Sequence, residues 1–118
     1  MVTELKDNWY EVLSKERIAV VKCYATWCGP CKFYGPHFQK FSENLPVYMG
    51  AEVGYYQANN DKLLDLKERY DIDRLPSTIF LIHGVLVRKM YGVTRQSVFE
   101  NVLEQSLKIP YHIKREMK

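Results

Sequence analysis

The stretch Ile18-Ala19-Val20-Val21-Lys22-Cys23-Tyr24-Ala25-Thr26-Trp27-Cys28-Gly29-Pro30-Cys31-Lys32 decides how the rest of the chain is read. Residues 18–25 are β-branched and nearly continuously apolar, interrupted only by Lys22, which is the pattern of a central strand covered on both faces. A helix should open at Cys28 or Pro30, because proline suits a first helical turn, and Phe33, His37, Phe38, Phe41 and Leu45 follow at helix-like intervals. Pro36 is expected to kink it. Cys28-Gly29-Pro30-Cys31 therefore puts two sulfurs within one turn at a strand-to-helix junction, close enough for a strained, reversible disulfide. Unpaired N–H groups and about half a positive charge at the helix start favour a thiolate there, so the pair reads as redox chemistry rather than scaffolding.

Working outward, Val2 to Leu5 suits a short first strand. Asn8 with Glu11 three residues on resembles a capping box before a helix with Trp9, Val12 and Leu13 on one face. Tyr55 to Ala58 reads as a further strand, followed by a helix starting at Asp61 with Leu63, Leu66 and Tyr70 inward. Thr78–Ile82 and Val85–Met90 form a hairpin around His83-Gly84. Thr94 or Arg95 to Leu107 closes the series as a helix with Val98, Val102 and Leu103 on one face and Pro110 just beyond. The order is β-α-β-α-β-α-β-β-α, an α/β domain with a central mixed sheet flanked by helices, over residues 1–107, followed by a tail at 108–118.

The 118 residues, 47% hydrophobic and 26% charged, have ordinary globular composition and no apolar run long enough to span a membrane. Residues 108–118 carry four of the 17 basic residues and one of the 14 acidic ones, which leaves 13 of each sign in 1–107. A neutral body with a basic tail does not offer the basic face that nucleic acid requires. The tail is expected to be a solvated or packing extension rather than a docking segment. The N-terminal residues lack the apolar core of a secretory signal, and three cysteines do not close a disulfide framework, so a reducing, cytoplasmic setting is expected. A zinc site needs four ligands, and beyond the CxxC pair only Cys23 and the scattered His37, His83 and His112 remain, so no metal is expected. The same histidines lack the spacing of a cysteine-protease triad. Strand alternation turns Cys23 away from Lys22 and into core, as a structural thiol.

Ala25-Thr26-Trp27-Cys28-Gly29-Pro30-Cys31-Lys32 resembles the active-site segment of the thioredoxin family residue for residue. The likeness extends over about residues 2–107, through Pro36 in the active-site helix, Leu75-Pro76 where the family carries a cis-proline, Gly84 in the hairpin and Gly92. The resemblance implies a thioredoxin fold and reduction of protein disulfides without a bound cofactor, with disulfide-containing clients and an electron donor as partners. That donor would be a flavoenzyme drawing on NADPH, a thioredoxin reductase, or a ferredoxin or glutathione system. Cys28 would be the exposed attacking thiolate and Cys31 the more buried resolving thiol. Trp27 would border the disulfide, Gly29 and Pro30 would set turn and redox poise, and Lys32 would add positive field or simply be solvated. Leu75, Pro76 and Gly92 would line the client site, and a monomer is expected.

Two positions depart from the family pattern. Six residues before Cys28, where the family usually has a buried aspartate, this chain has Lys22, and the family's lysine partner on the following strand aligns with Gln57. Either Lys22 acts as a substitute base or field source for Cys31, or it snorkels to the rim and leaves the proton to Glu52, Asp61 or water. The substitution keeps a rival in play, a thioredoxin-like binding or adaptor module with weakened redox activity. An oxidant or isomerase of a secretory compartment is the second rival, disfavoured by the Gly-Pro dipeptide.

Overall fold

The computed structural model describes residues 1–107. Five strands form the main sheet: β1 (Val2–Glu4), β2 (Ile18–Tyr24), β4 (Ala51–Asn59), β5 (Ser77–Ile82) and β6 (Val85–Tyr91), in the spatial order β1-β4-β2-β5-β6. β1, β4 and β2 run parallel, whereas β5 and β6 are antiparallel to their neighbours, so the sheet is mixed as expected. The fold adds one element to the expected order, β3 (Val47–Tyr48), which pairs antiparallel with the start of β4 through a turn in which Met49 and Gly50 both have positive φ. A two-residue strand carries too little periodicity to be seen in sequence, and Met49 is not a residue type that announces such a turn.

β2 is central and continuously buried up to Tyr24, in keeping with its apolar run. Its alternate side chains feed two cores. Ala19, Val21 and Cys23 meet Trp9 and Leu13 of helix α1 (Trp9–Lys15) and Leu66 of helix α3 (Leu64–Arg69). Ile18 and Val20 meet Tyr34, Phe38 and Phe41 of helix α2 (Gly29–Asn44) and Phe99 and Leu103 of helix α4 (Gln96–Leu107). The second core is dominated by rings. Phe99 stacks on Phe41 with centroids 4.3 Å apart and lies 5.8 Å from Phe80, tying α4 to α2 and to the sheet.

Several local expectations are corrected. Asn8 makes no side-chain cap: a turn with Trp9 N–H bonded to Lys6 O at 3.0 Å sets Asn8 at φ −86°, ψ 20°, outside the extended region from which its side chain would reach the helix. α3 starts at Leu64 rather than Asp61, because Asn59 organises the preceding turn, its side chain accepting from Asp61 N–H and its carbonyl from Lys62 and Leu63. On α2 the buried face is Cys31, Tyr34, Phe38 and Phe41, with Phe33 left 66% exposed and His37 half-exposed. Spacings of three, four and three place those four on one face, and Phe33 sits about 100° away from Tyr34. On α4 the anchors are Phe99 and Leu103, while Val98 is exposed.

The helix α2 runs through Pro36, whose missing N–H leaves the Lys32 carbonyl without its helical partner. The hairpin forms as read, with His83 and Gly84 at φ 49° and 79° in a two-residue turn. A Cβ at Gly84 would meet the Ser14 backbone at an ordinary contact distance of 3.4 Å, so it is the positive φ that calls for glycine there. The tail, with its docking alternative and His112, lies outside the described residues.

Candidate active site

β2 ends at Tyr24 and α2 starts at Gly29, so the CxxC segment sits at the C-terminal edge of the central strand. Cys28 is the N-cap of α2 in extended conformation, and its Sγ accepts the Cys31 backbone N–H at 3.2 Å. A donor at the positive end of a 16-residue helix thus points at Cys28 Sγ, an arrangement that favours negative charge on that sulfur. Gly29 and Pro30 occupy the first two helical positions, both exposed, where proline's missing N–H costs no bond. Lys32 is exposed in the same turn.

Cys28 and Cys31 are joined as a disulfide with Cα atoms 5.3 Å apart. Cys31 is the more buried of the two at 3%, but Cys28, expected to be exposed, is only 6% exposed. In the bonded state both cysteines pack with Ala25 against Tyr24 and Leu75, which covers Cys28 as well as Cys31. The Leu75-Pro76 peptide is cis. Gly92, at φ 83°, donates its N–H to the Pro76 carbonyl at 2.9 Å, a left-handed backbone that suits glycine and ties the end of β6 to the proline loop. Trp27 is 71% exposed and donates Nε1–H to the Asp61 carboxylate at 2.8 Å. Sequence reasoning gave Asp61 a helix start and a proton to handle; its observed bond is to Trp27.

Lys22 does not snorkel. It is 7% exposed, with Nζ 5.4 Å from the Tyr24 ring centroid and 5.9 Å from that of Phe38, under α2 close to Gly35, one turn beyond Cys31. Register puts Glu4, Gln57, Lys22 and Thr78 side by side across β1, β4, β2 and β5 on the same sheet face. Gln57 Nε2 donates to Glu4 at 2.6 Å, and the Tyr24 hydroxyl donates to the same carboxylate at 2.9 Å. Glu52, by contrast, points to the other sheet face five residues away along β4. Glu4 thus supplies the carboxylate of this row; only the β1–β4–β2 register reveals it. Burial pushes Tyr24 up to about 12, with Glu4 adding to the rise, whereas Thr78 is held by the Tyr34 hydroxyl at 2.7 Å.

Burial lowers the Lys22 ammonium from its usual 10.5, and Glu4 opposes that shift. Between the lowered value and 10.5 the unfolded chain binds more protons than the folded one, so stability rises with pH through that window, and below it the buried charge is a standing cost. Lys22→Met is therefore expected to raise Tm at pH 7 by about 3–6 °C, as roughly 1 kcal/mol would in a domain of this size, with the gain shrinking as pH approaches 10.5. Calorimetry at the two pH values checks this, and a Tm lowered at pH 7 would contradict the burial cost.

Cys23 faces the α1 and α3 side, fully buried and free, and burial pushes its thiol up to about 12. Among the described residues no three His, Cys, Asp or Glu side chains cluster so as to hold a metal ion, and no helix is long and apolar enough to cross a membrane. The family model for thioredoxin matches residues 1–105. The chain belongs to the thioredoxin family. It is 30% identical to thioredoxin-1 of Saccharomyces cerevisiae over 100 residues, which cover 83% of this chain and 92% of that protein. It is likewise 30% identical to the same yeast's thioredoxin-2 over 109 residues, 86% of this chain and 100% of that one. The solved thioredoxin of Malassezia sympodialis superposes with TM-score 0.74 at 27% identity, covering 89% of this chain and 92% of its own. The Cys28–Cys31 pair in this fold is that of a thiol-disulfide oxidoreductase acting by dithiol exchange.

Proposed function

We propose that this thioredoxin works in the reducing direction on disulfides of client proteins. The Cys28 thiolate attacks one client sulfur, forming a mixed disulfide and releasing the other as thiolate. Cys31, deprotonated, then attacks Cys28 Sγ, which frees the second client sulfur and leaves the Cys28–Cys31 disulfide. Two electrons and two protons pass to the client. A reductase must return them, a flavoenzyme drawing on NADPH or a ferredoxin or glutathione system, and the protein itself needs no bound cofactor. The observation that carries dithiol exchange through Cys28 is the Cys31 N–H donated to Cys28 Sγ at the start of α2, which favours the thiolate, and the Gly29-Pro30 dipeptide supports the reducing direction.

Residues 1–107 form the working domain in this proposal, acting as a monomer. Leu75 and cis-Pro76 offer an extended client segment a backbone to lie along, with Gly92 beside them and Trp27 at the rim. Gly29, Pro30 and Lys32 tune the first turn. Lys22 acts as a buried positive field that favours the Cys31 thiolate in the resolving step, a role supported by its position under the helix that carries Cys31. Cysteine usage supports a reducing, cytoplasmic setting. If Lys22 has this role, Lys22→Met shifts the pH dependence of resolution; identical profiles would remove it from the mechanism.

Turnover of insulin disulfides with dithiothreitol tests the function as a whole. Precipitation of the insulin B chain well ahead of a dithiothreitol blank is expected. A rate equal to the blank would favour the adaptor module, which the replaced Lys22 and Gln57 pair keeps as the second reading.

A further inference from the structure

The sequence pattern assigned Phe33 to the core, and the fold leaves it on the surface at 66% exposure, two residues after the resolving cysteine. It borders an open groove of ≈ 340 Å³ lined by Phe33, His37, Val93, Thr94, Arg95 and Val98, between α2 and the segment joining β6 to α4. Phe33, Val93 and Val98 are all exposed there, and the Phe33 and His37 rings lie 5.4 Å apart. The volume is at the low end for a ligand pocket and the groove is open, so its shape suits a side chain of an extended segment better than an enclosed small molecule.

Two features say what occupies it. The groove adjoins the disulfide site through the chain: Phe33 lies two residues beyond Cys31 on α2, and Val93 follows Gly92, which is bonded to the Pro76 carbonyl. At its far end α2 and α4 are tied by Asn44 Nδ2 donating to Gln96 at 3.0 Å. Its charge is of one sign. Arg95 lines it, no carboxylate does, and Lys40 lies on the same helical stripe as Phe33 and His37, at spacings of four and three. The chain's own tail, with four basic residues and one acidic, has the wrong sign to fill it.

We propose that this groove is a client subsite that selects disulfides flanked by an apolar side chain and acidic residues. The apolar group covers Phe33, Val93 and Val98, and the carboxylates face Arg95 and Lys40. The inference rests on the reductase reading and adds the substrate class to it.

The test uses the reduced full-length protein and three disulfides: a homodimeric peptide whose cysteine is followed by Phe, Asp and Glu, the same peptide with Ser, Lys and Lys instead, and neutral bis(2-hydroxyethyl) disulfide. Wild type is expected to reduce the acidic peptide about tenfold faster than the basic one, the worth of partly burying one apolar side chain. Phe33→Ser and Arg95→Glu should each erase most of that preference and leave the rate with bis(2-hydroxyethyl) disulfide unchanged. Equal wild-type rates for the two peptides, or a preference that survives both variants, would overturn the proposal. A wild type inert toward all three disulfides would count against the reductase reading alone. The groove is then decided by titrating the serine counterpart of the acidic peptide into the oxidised protein, where NMR shifts at Phe33 and Val93 support it and their absence overturns it.

Discussion

Cys28→Ser is expected to bring insulin-disulfide turnover down to the dithiothreitol blank, a loss of at least ~10³-fold, while Cys31→Ser should accumulate a mixed disulfide instead of turning over. The asymmetry comes from the geometry at the start of α2. The Cys31 N–H reaches Cys28 Sγ, so the first sulfur receives the helix's positive end. A serine hydroxyl in its place stays protonated under the same field, because its proton affinity is far above that of a thiol, and the first bond to the client never forms. In Cys31→Ser that first bond does form, since Cys28 keeps its cap, and the adduct has no internal thiol to break it. Mass spectrometry of the reaction with insulin reads the adduct directly. Turnover persisting in Cys28→Ser would displace Cys28 from the attacking role.

Phe99→Ala should give the largest loss of stability among single core substitutions, about 3–5 kcal/mol. Phe99 is fully buried and meets Phe41, Phe80 and Tyr55, so one ring closes α4 onto both α2 and the sheet. Truncation would leave a void bounded by rigid rings that cannot collapse without tilting one of them. Against a total stability of roughly 5–15 kcal/mol, such a loss lowers Tm by more than ten degrees. Urea unfolding of wild type and variant measures it. A midpoint shift equivalent to less than 1 kcal/mol would mean that α4 is held elsewhere.

Much of the fold was legible because the decisive segments each carry a strong local pattern. The apolar run of β2 identifies a doubly covered strand, and His83-Gly84 between two strand-like runs identifies the hairpin. The motif Trp27 to Cys31 then gave the site and, through the resemblance, the cis bond before Pro76. What was not legible depends on phase and register. Phe33 and Tyr34 are adjacent aromatics, and which of them turns inward is set by where α2 starts, a matter of one residue. Phe99 was passed over for the same reason in favour of Val98. Glu4 became part of the row beneath α2 only through pairing of β1 with β4, which no local pattern specifies. The bond from Trp27 to Asp61 joins residues 34 apart in sequence. The cap expected at Asn8 failed because a preceding turn fixed its backbone first.

Cys23, sealed on the opposite side of the sheet, gives the molecule a fixed electronic inventory. With that thiol out of reach, each molecule carries a single exchangeable electron pair, and no third sulfur stands ready to rescue an adduct stalled on Cys28. In the proposed mechanism, release of a client passes through Cys31 or awaits an outside thiol. Under oxidant excess the same arrangement protects the chain, since once the CxxC pair closes no reactive thiol is left to crosslink one copy to another among the described residues.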